Sequence, residues 1–306
     1  MMLSRSVRQR LGELIREEKT PRKKGSRPPV LERRIIRAGI EEILPGGVLK
    51  GPRGSLFVHE RLYTELGERP APLLRKLAAL SAPARGNGPA SGFRARPKSR
   101  SGRRVVRELP DIVAEMDTPE RGLFRRYGHR RMLFLDIETC GLSAAPVFLV
   151  GLGMVVERNL VLRQLFARDY TEERALLHEL GKLIGQFDFL VTFNGKSFDV
   201  PFLRDRATHH RMRFSMEIPH LDLLWMARRR WKHALPDCRL KTLEWHVLRR
   251  RRAGDVSGAE IPGLYHDYVK RGEPHRLLPV FHHNLLDVVA MVELIPPLFD
   301  EQSETY

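Results

Sequence analysis

The chain has 306 residues, 42% of them apolar, which allows a sizeable core and either two ordinary domains or one domain with a long extension. Its net charge of +17 is lopsided: residues 1–130 hold 30 Lys and Arg against 14 Asp and Glu, and residues 131–306 hold 24 against 23. Two cysteines without metal-ligand spacing, no apolar run near the roughly 18 residues of a membrane span and a polar, basic start lead us to expect a cytoplasmic chain with no secretory signal and no membrane segment.

The basic first part has the footprint of contact with a polyanion such as nucleic acid, or of a solubilising or membrane-surface tail. Within it, Val7, Leu11, Leu14 and Ile15 recur at helical spacing, so a short amphipathic helix is expected over 4–19. Pro21 to Pro29 is basic and rich in breakers and reads as a linker. Val48 to Tyr63, with Gly51 and Gly54 between apolar stretches, predicts a hairpin, and Leu73 to Leu80 a short helix. Residues 81–104 offer little to bury and are expected to be disordered; Leu109 to Tyr127 should lead helically into the next domain. The expected division is a basic region over 1–128 and a second domain over 129–300.

From Arg131 the pattern changes. Leu133 to Thr139, Val147 to Val156 and Leu160 to Phe166 read as strands, the last two close enough to pair antiparallel. A helix should open at Thr171-Glu172-Glu173 and bury Leu176, Leu177, Leu180, Leu183 and Ile184. Phe189 to Phe193 is the next strand, Asn194-Gly195 turns the chain, and a helix follows from about Ser197 to His209. A long connection with several Trp and Arg residues precedes a final apolar helix over Leu278 to Leu294. A meander followed by alternating helices and strand indicates an α/β fold with a mixed sheet.

Chemistry-bearing residues fall in three places. Asp136 and Glu138 alternate on one strand and so emerge on the same face, where unpaired burial of two carboxylates is expensive and a divalent cation such as Mg²⁺ or Mn²⁺ would relieve it. Asp199 opens a helix after the Asn194-Gly195 turn, at the sheet edge where α/β folds bind ligands; capping is the plainer role for such an Asp, and Asn194 would either touch a nucleotide or hold the turn. His283 and Asp287 are four apart on one helical face, whereas His282 is five before Asp287. Taken alone, that His and Asp would make an ordinary buried pair.

In this order and spacing, Asp136-x-Glu138, Asn194-x-x-x-Phe198-Asp199 and His283-Asn284-x-x-Asp287 resemble the DEDD exonuclease superfamily, the DnaQ-like branch of the ribonuclease H-like fold. The resemblance is greatest to the YprB-like ribonuclease H-like domain family. It extends over about residues 130–297, including His220 to Leu224, Leu235 to Leu243 and Gly258 to Gly263. It implies a 3′–5′ exonuclease domain using two ions, Mg²⁺ or Mn²⁺, held by Asp136, Glu138, Asp199 and Asp287. A histidine would be the base, His283 by helix face and family pattern or His282 by the spacing of histidine-type members. Thr139, Asn194 and Phe198 would contact the nucleic acid, DNA or RNA. Two cations suit phosphodiester cleavage because they stabilise charge on both the attacking and leaving oxygens, and a histidine near its ordinary pKa is a suitable base at neutral pH.

Other residues have plain readings beside functional ones. Phe193, Phe198 and Phe202 would mostly build core, and Trp225, Trp231 and Trp245 are expected to pack rather than stack on bases. Asp222, Arg239 and Lys241 could touch a nucleic-acid backbone or serve structure, and the runs Arg228 to Lys232 and Arg249 to Arg252 are solvated faces or groove rims. Two other functions compete with a nuclease. A non-catalytic nucleic-acid-binding scaffold would have no need of the full acid set, and a small-nucleotide phosphohydrolase would have no use for the basic extension.

Overall fold

A computed structural model describes residues 39–82 and 118–300. The expected helix over 4–19, the linker over 21–29 and nearly all of the segment 81–104 lie outside the described residues.

The strands are β1 (Gly46–Gly51), β2 (Gly54–Leu62), β3 (Met132–Thr139), β4 (Val147–Val156), β5 (Asn159–Phe166), β6 (Phe189–Thr192) and β7 (His220–Asp222). They form one sheet in the order β1-β2-β5-β4-β3-β6-β7. Neighbours from β1 to β3 are antiparallel, and β6 and β7 join in parallel, so the sheet is mixed as expected.

The hairpin lies where its glycines and apolar runs place it, but it does not stand apart. β2 pairs with β5 from Phe57↔Phe166 to Leu62↔Val161, so the described part of the basic region shares the sheet of the following domain. The expected boundary at 128/129 is therefore no break in the sheet, because the hairpin satisfies β5's outer hydrogen-bonding edge.

The helices are α1 (Ile40–Ile43), α2 (Pro70–Leu80), α3 (Pro119–Tyr127), α4 (Glu173–Ile184), α5 (Asp199–His209), α6 (Leu223–Trp231), α7 (Leu240–His246), α8 (Ile261–Arg271) and α9 (Leu278–Phe299). The long connection expected between α5 and α9 thus contains β7, α6, α7 and α8. A strand of three residues is too short to show a period, and the Arg and Trp residues blur the helical ones.

Side-chain alternation splits the core in two. Leu133, Leu135 and Ile137 of β3 pack with Leu176, Leu180 and Tyr265 from α4 and α8. Phe134 packs on the other face with Leu285, Val288 and Val292 of α9 and Leu223 of α6. Helices on both faces make a three-layer α/β arrangement. Helix α9 is long and apolar enough to cross a membrane, but 67% of that stretch is buried within this fold, which explains its composition. Its approach to the sheet needs small residues: a Cβ on Gly153 would lie 2.8 Å from Val288 Cγ1.

Candidate active site

Asp136 and Glu138 continue the Phe134 face of β3 and so meet α9. Beyond them the β3–β4 register slips between Glu138 and Thr139, which ends regular pairing just past the carboxylates. On β3's other side β6 pairs only with Met132 to Phe134, leaving the backbone beyond open. Asp199, the first residue of α5, fills that opening: its carboxylate accepts from the amides of Asp199 itself and of Ile137, between the two strand acids.

Helix α9 supplies the rest. Asn284 is fully buried, and its Nδ2 donates to Asp136 Oδ2 at 2.8 Å while its Oδ1 accepts from Gln164 Nε2 at 2.8 Å. Gly151, opposite Asp136 on β4, makes room for this amide, since a Cβ there would lie 2.3 Å from Asn284 Oδ1. A Gln–Asn pair thus fixes one oxygen of Asp136 from across the sheet. One residue earlier, His283 Nδ1 lies 2.7 Å from Asp255 Oδ1 and its Nε2 lies 3.5 Å from Asp287 Oδ2. His282 is half-buried and its pKa is lowered, chiefly by that burial.

The electrostatics are those of like charges out of water. Burial pushes Asp136 and Glu138 well above the usual carboxylate range, and the charges of Asp287 and Asp199 push both further, with Glu138 adding to the rise of Asp136 and Asp255 to that of Glu138. Asp199 is raised to about 7, first by burial, against the pull of its two amides. The four acids from β3, α5 and α9 therefore feel one another, although they are 63 to 151 residues apart along the chain if Asp136 is compared with Asp199 and Asp287.

Asp287 is treated differently. Arg252, its side chain 7% exposed, donates to Asp287 Oδ1, binds Glu244 at 2.6 Å and lies 3.5 Å from Asp255. Asp255 also meets Lys241 Nζ at 2.8 Å. Burial would raise its pKa, but hydrogen bonds from His283 and Lys241 hold it far below the usual range. Neither Arg252 nor Asp255 is singled out by sequence reasoning. The run Arg249 to Arg252 reads as a uniform charged stretch, yet Arg250 pairs with Glu68 and Glu293, Arg251 lies over Trp245 and Arg252 is buried among acids.

A hard divalent cation fits this donor set in chemistry and charge, because Asp136, Glu138 and Asp199 bring oxygen ligands whose repulsion it would relieve. Among the described residues no three such groups stand at mutual ligand distance, and one oxygen of Asp287 is already taken by Arg252.

The remaining expected residues divide. Asn194 is exposed in a left-handed conformation (φ 67°), and its amide donates to Asp222 Oδ1 at 2.8 Å. Phe198 is half-buried, 5.4 Å from the Phe202 ring, and both pack on the core. Phe193 packs on the opposite core. Thr139 is buried and its hydroxyl donates to Gly141 O at 2.7 Å. Asp222 is buried and structural: it caps α6 through the Leu224 amide and holds the amides of Asn194 and Lys196. Arg239 is exposed beside Asp237.

A family model for the RNase H superfamily matches residues 133–298. The match covers more than half of the chain, and the chain belongs to that superfamily. It is 36% identical over 175 residues to the uncharacterized protein YprB of Bacillus subtilis (strain 168), across 55% of this chain and 42% of YprB, so it spans less than half the length of that relative. Among solved structures, a family B DNA polymerase from the archaeon Pyrobaculum calidifontis overlaps 55% of this chain and 24% of its own, with a TM-score of 0.44 and 16% identity.

Proposed function

We propose that this chain is a metal-dependent nuclease that hydrolyses phosphodiester bonds of nucleic acid, acting as a 3′–5′ exonuclease. The observation that carries the reading is the gathering of Asp136, Glu138 and Asp199 at one sheet edge, raised in pKa by burial and mutual repulsion, beside His283 and Asp287. Asp136, Glu138, Asp199 and Asp287 would hold two divalent cations, Mg²⁺ or Mn²⁺, which when bound stabilise charge on the attacking and leaving oxygens. His283 is the base: Asp255 holds its Nδ1, and Nε2, on the Asp287 side, takes the proton of the attacking water. Asn284 and Gln164 position Asp136, and the terminal nucleotide would meet Thr139, Asn194 and Phe198.

The pairing of Arg252 with Asp287 favours a second reading, a non-catalytic nucleic-acid-binding protein in which an internal cation meets one of the acids. One experiment separates the two. End-labelled single- and double-stranded DNA and RNA are incubated with Mg²⁺ or Mn²⁺, with Asp136→Asn alongside. The nuclease reading expects a ladder shortening from one end and a loss of at least about 10³-fold in the variant, with nucleic-acid binding retained. Absence of cleavage on every substrate, or cleavage indifferent to Asp136→Asn, would remove it.

A further inference from the structure

Only one of the three tryptophans packs as expected. Trp231 is 2% exposed, but Trp225 and Trp245 are 55% and 41% exposed. Each of the two carries a cation on its face: Lys196 Nζ lies 5.5 Å from the Trp225 ring centroid, and Arg251 Cζ lies 3.6 Å from that of Trp245.

Both pairs are tied to the acid cluster. Lys196 stands in the turn before α5, three residues ahead of Asp199. Its amide donates to Asp222 Oδ2 at 3.0 Å, and the same carboxylate caps α6 through Leu224, which brings Lys196 beside Trp225 in that helix's first turn. Trp245 lies one turn after Lys241 on α7, and Lys241 binds Asp255, the partner of His283. The exposed side of α6 continues from Trp225 to Arg228 and Arg229, at the i+3 and i+4 positions.

We propose that Trp225 with Lys196, and Trp245 with Arg251, are stacking positions for the bases of single-stranded nucleic acid, one on the Asp199 flank of the site and one on the His283 flank. The inference rests on the nuclease reading and adds the substrate's strandedness to it. An exposed indole offers flat apolar surface on which a base can stack beside the cation, and neighbouring cations meet the phosphates on either side. A duplex keeps its base faces stacked inside and cannot use such a platform. The result is affinity for unpaired strand with little preference for sequence.

Binding is measured by fluorescence anisotropy on the full chain in EDTA, so that nothing is cleaved. The probes are a labelled short oligothymidylate and an abasic strand of equal length and charge. The wild-type protein is expected to prefer the strand with bases. Trp225→Ala should weaken oligothymidylate binding about tenfold, leave the abasic strand unchanged and be largely rescued by Trp225→Phe, with Trp245→Ala acting in the same direction. Circular dichroism of each variant verifies the fold. Wild-type affinity for oligothymidylate in both Ala variants, or equal losses on the two strands, overturns the inference. The two proposals fail separately. Cleavage in Mg²⁺ with tryptophan-independent binding sinks the platform alone, and base-dependent binding without cleavage on any substrate sinks the nuclease reading alone.

Discussion

Carboxylates shielded from water occur at two places in this fold, and their charge is met in opposite ways. Glu173, at the start of α4, is 1% exposed and accepts from the Val147 amide at 2.8 Å and from Arg206 at 2.8 and 2.6 Å, with His210 Nε2 at 2.7 Å. Burial would raise its pKa, but these partners hold it below the usual range. Asp199 is buried and Asp136 and Glu138 are half-buried, with far fewer donors, and all three are raised. The same fold can satisfy a buried acid completely. Where it gathers three with few donors, the excess negative charge is what the proposed cations would offset.

The sharpest way to break this contrast is to remove one acid from each group. Glu173→Ala leaves the Arg206 guanidinium buried without its partner and should cost about 3–5 kcal/mol in urea unfolding. Asp136→Asn, measured in EDTA, removes a repelling charge and should unfold no earlier than wild type. Equal losses in the two variants would show that the groups do not differ.

Next in size is the response to metal ion and pH. At neutral pH, Mg²⁺ or Mn²⁺ at about 100 times its dissociation constant should stabilise the chain by about 2.7 kcal/mol, and Asp136→Asn/Asp199→Asn should abolish the gain. Without metal, an unfolded carboxylate gives up its proton near about pH 4, whereas folded Asp199 keeps one until about 7. The unfolded chain then binds fewer protons across that window, so the acid cluster makes stability fall as pH rises through it. Glu173, lowered in the fold, has the opposite sign: its contribution is present above the ordinary Glu pKa and is lost on acidification. Thermal midpoints in EDTA between about pH 4 and 7 should fall less steeply in Asp199→Asn than in wild type. An unchanged slope would deny the acid cluster its role.

The smallest expected effect is that of Gly151→Ala. Its new methyl meets Asn284, and forcing that amide aside should cost about 1–3 kcal/mol. It should also slow cleavage by displacing Asp136, whereas Gly153→Ala, which meets Val288 instead, should affect stability more than rate. Unfolding curves and end-label assays on both variants compare the two.

What could be read from the residues alone follows from range. The apolar runs of β3, β4 and β5 and the periodicity of α4 and α9 are local signals, and the acids on them could be placed on faces by counting. The turn at Asn194-Gly195 and Asp199's place in the first turn of α5 are equally local. The Gln164–Asn284–Asp136 relay joins β3, β5 and α9, and no spacing announces it. Arg252 and Asp255 lie in irregular chain between α7 and α8, where a charge run hides three different environments. The tryptophans misled because one helical stretch carries both a buried ring, Trp231, and an exposed one, Trp225.

The hairpin on β5 has a practical consequence for anyone trimming the protein. Starting the chain at residue 129 would strip away β2 and leave β5, from Asn159 to Phe166, with a bare row of amides and carbonyls in a sheet of mostly apolar strands. Such an edge recruits other copies of itself, so the shortened form should clump where the chain with its hairpin does not.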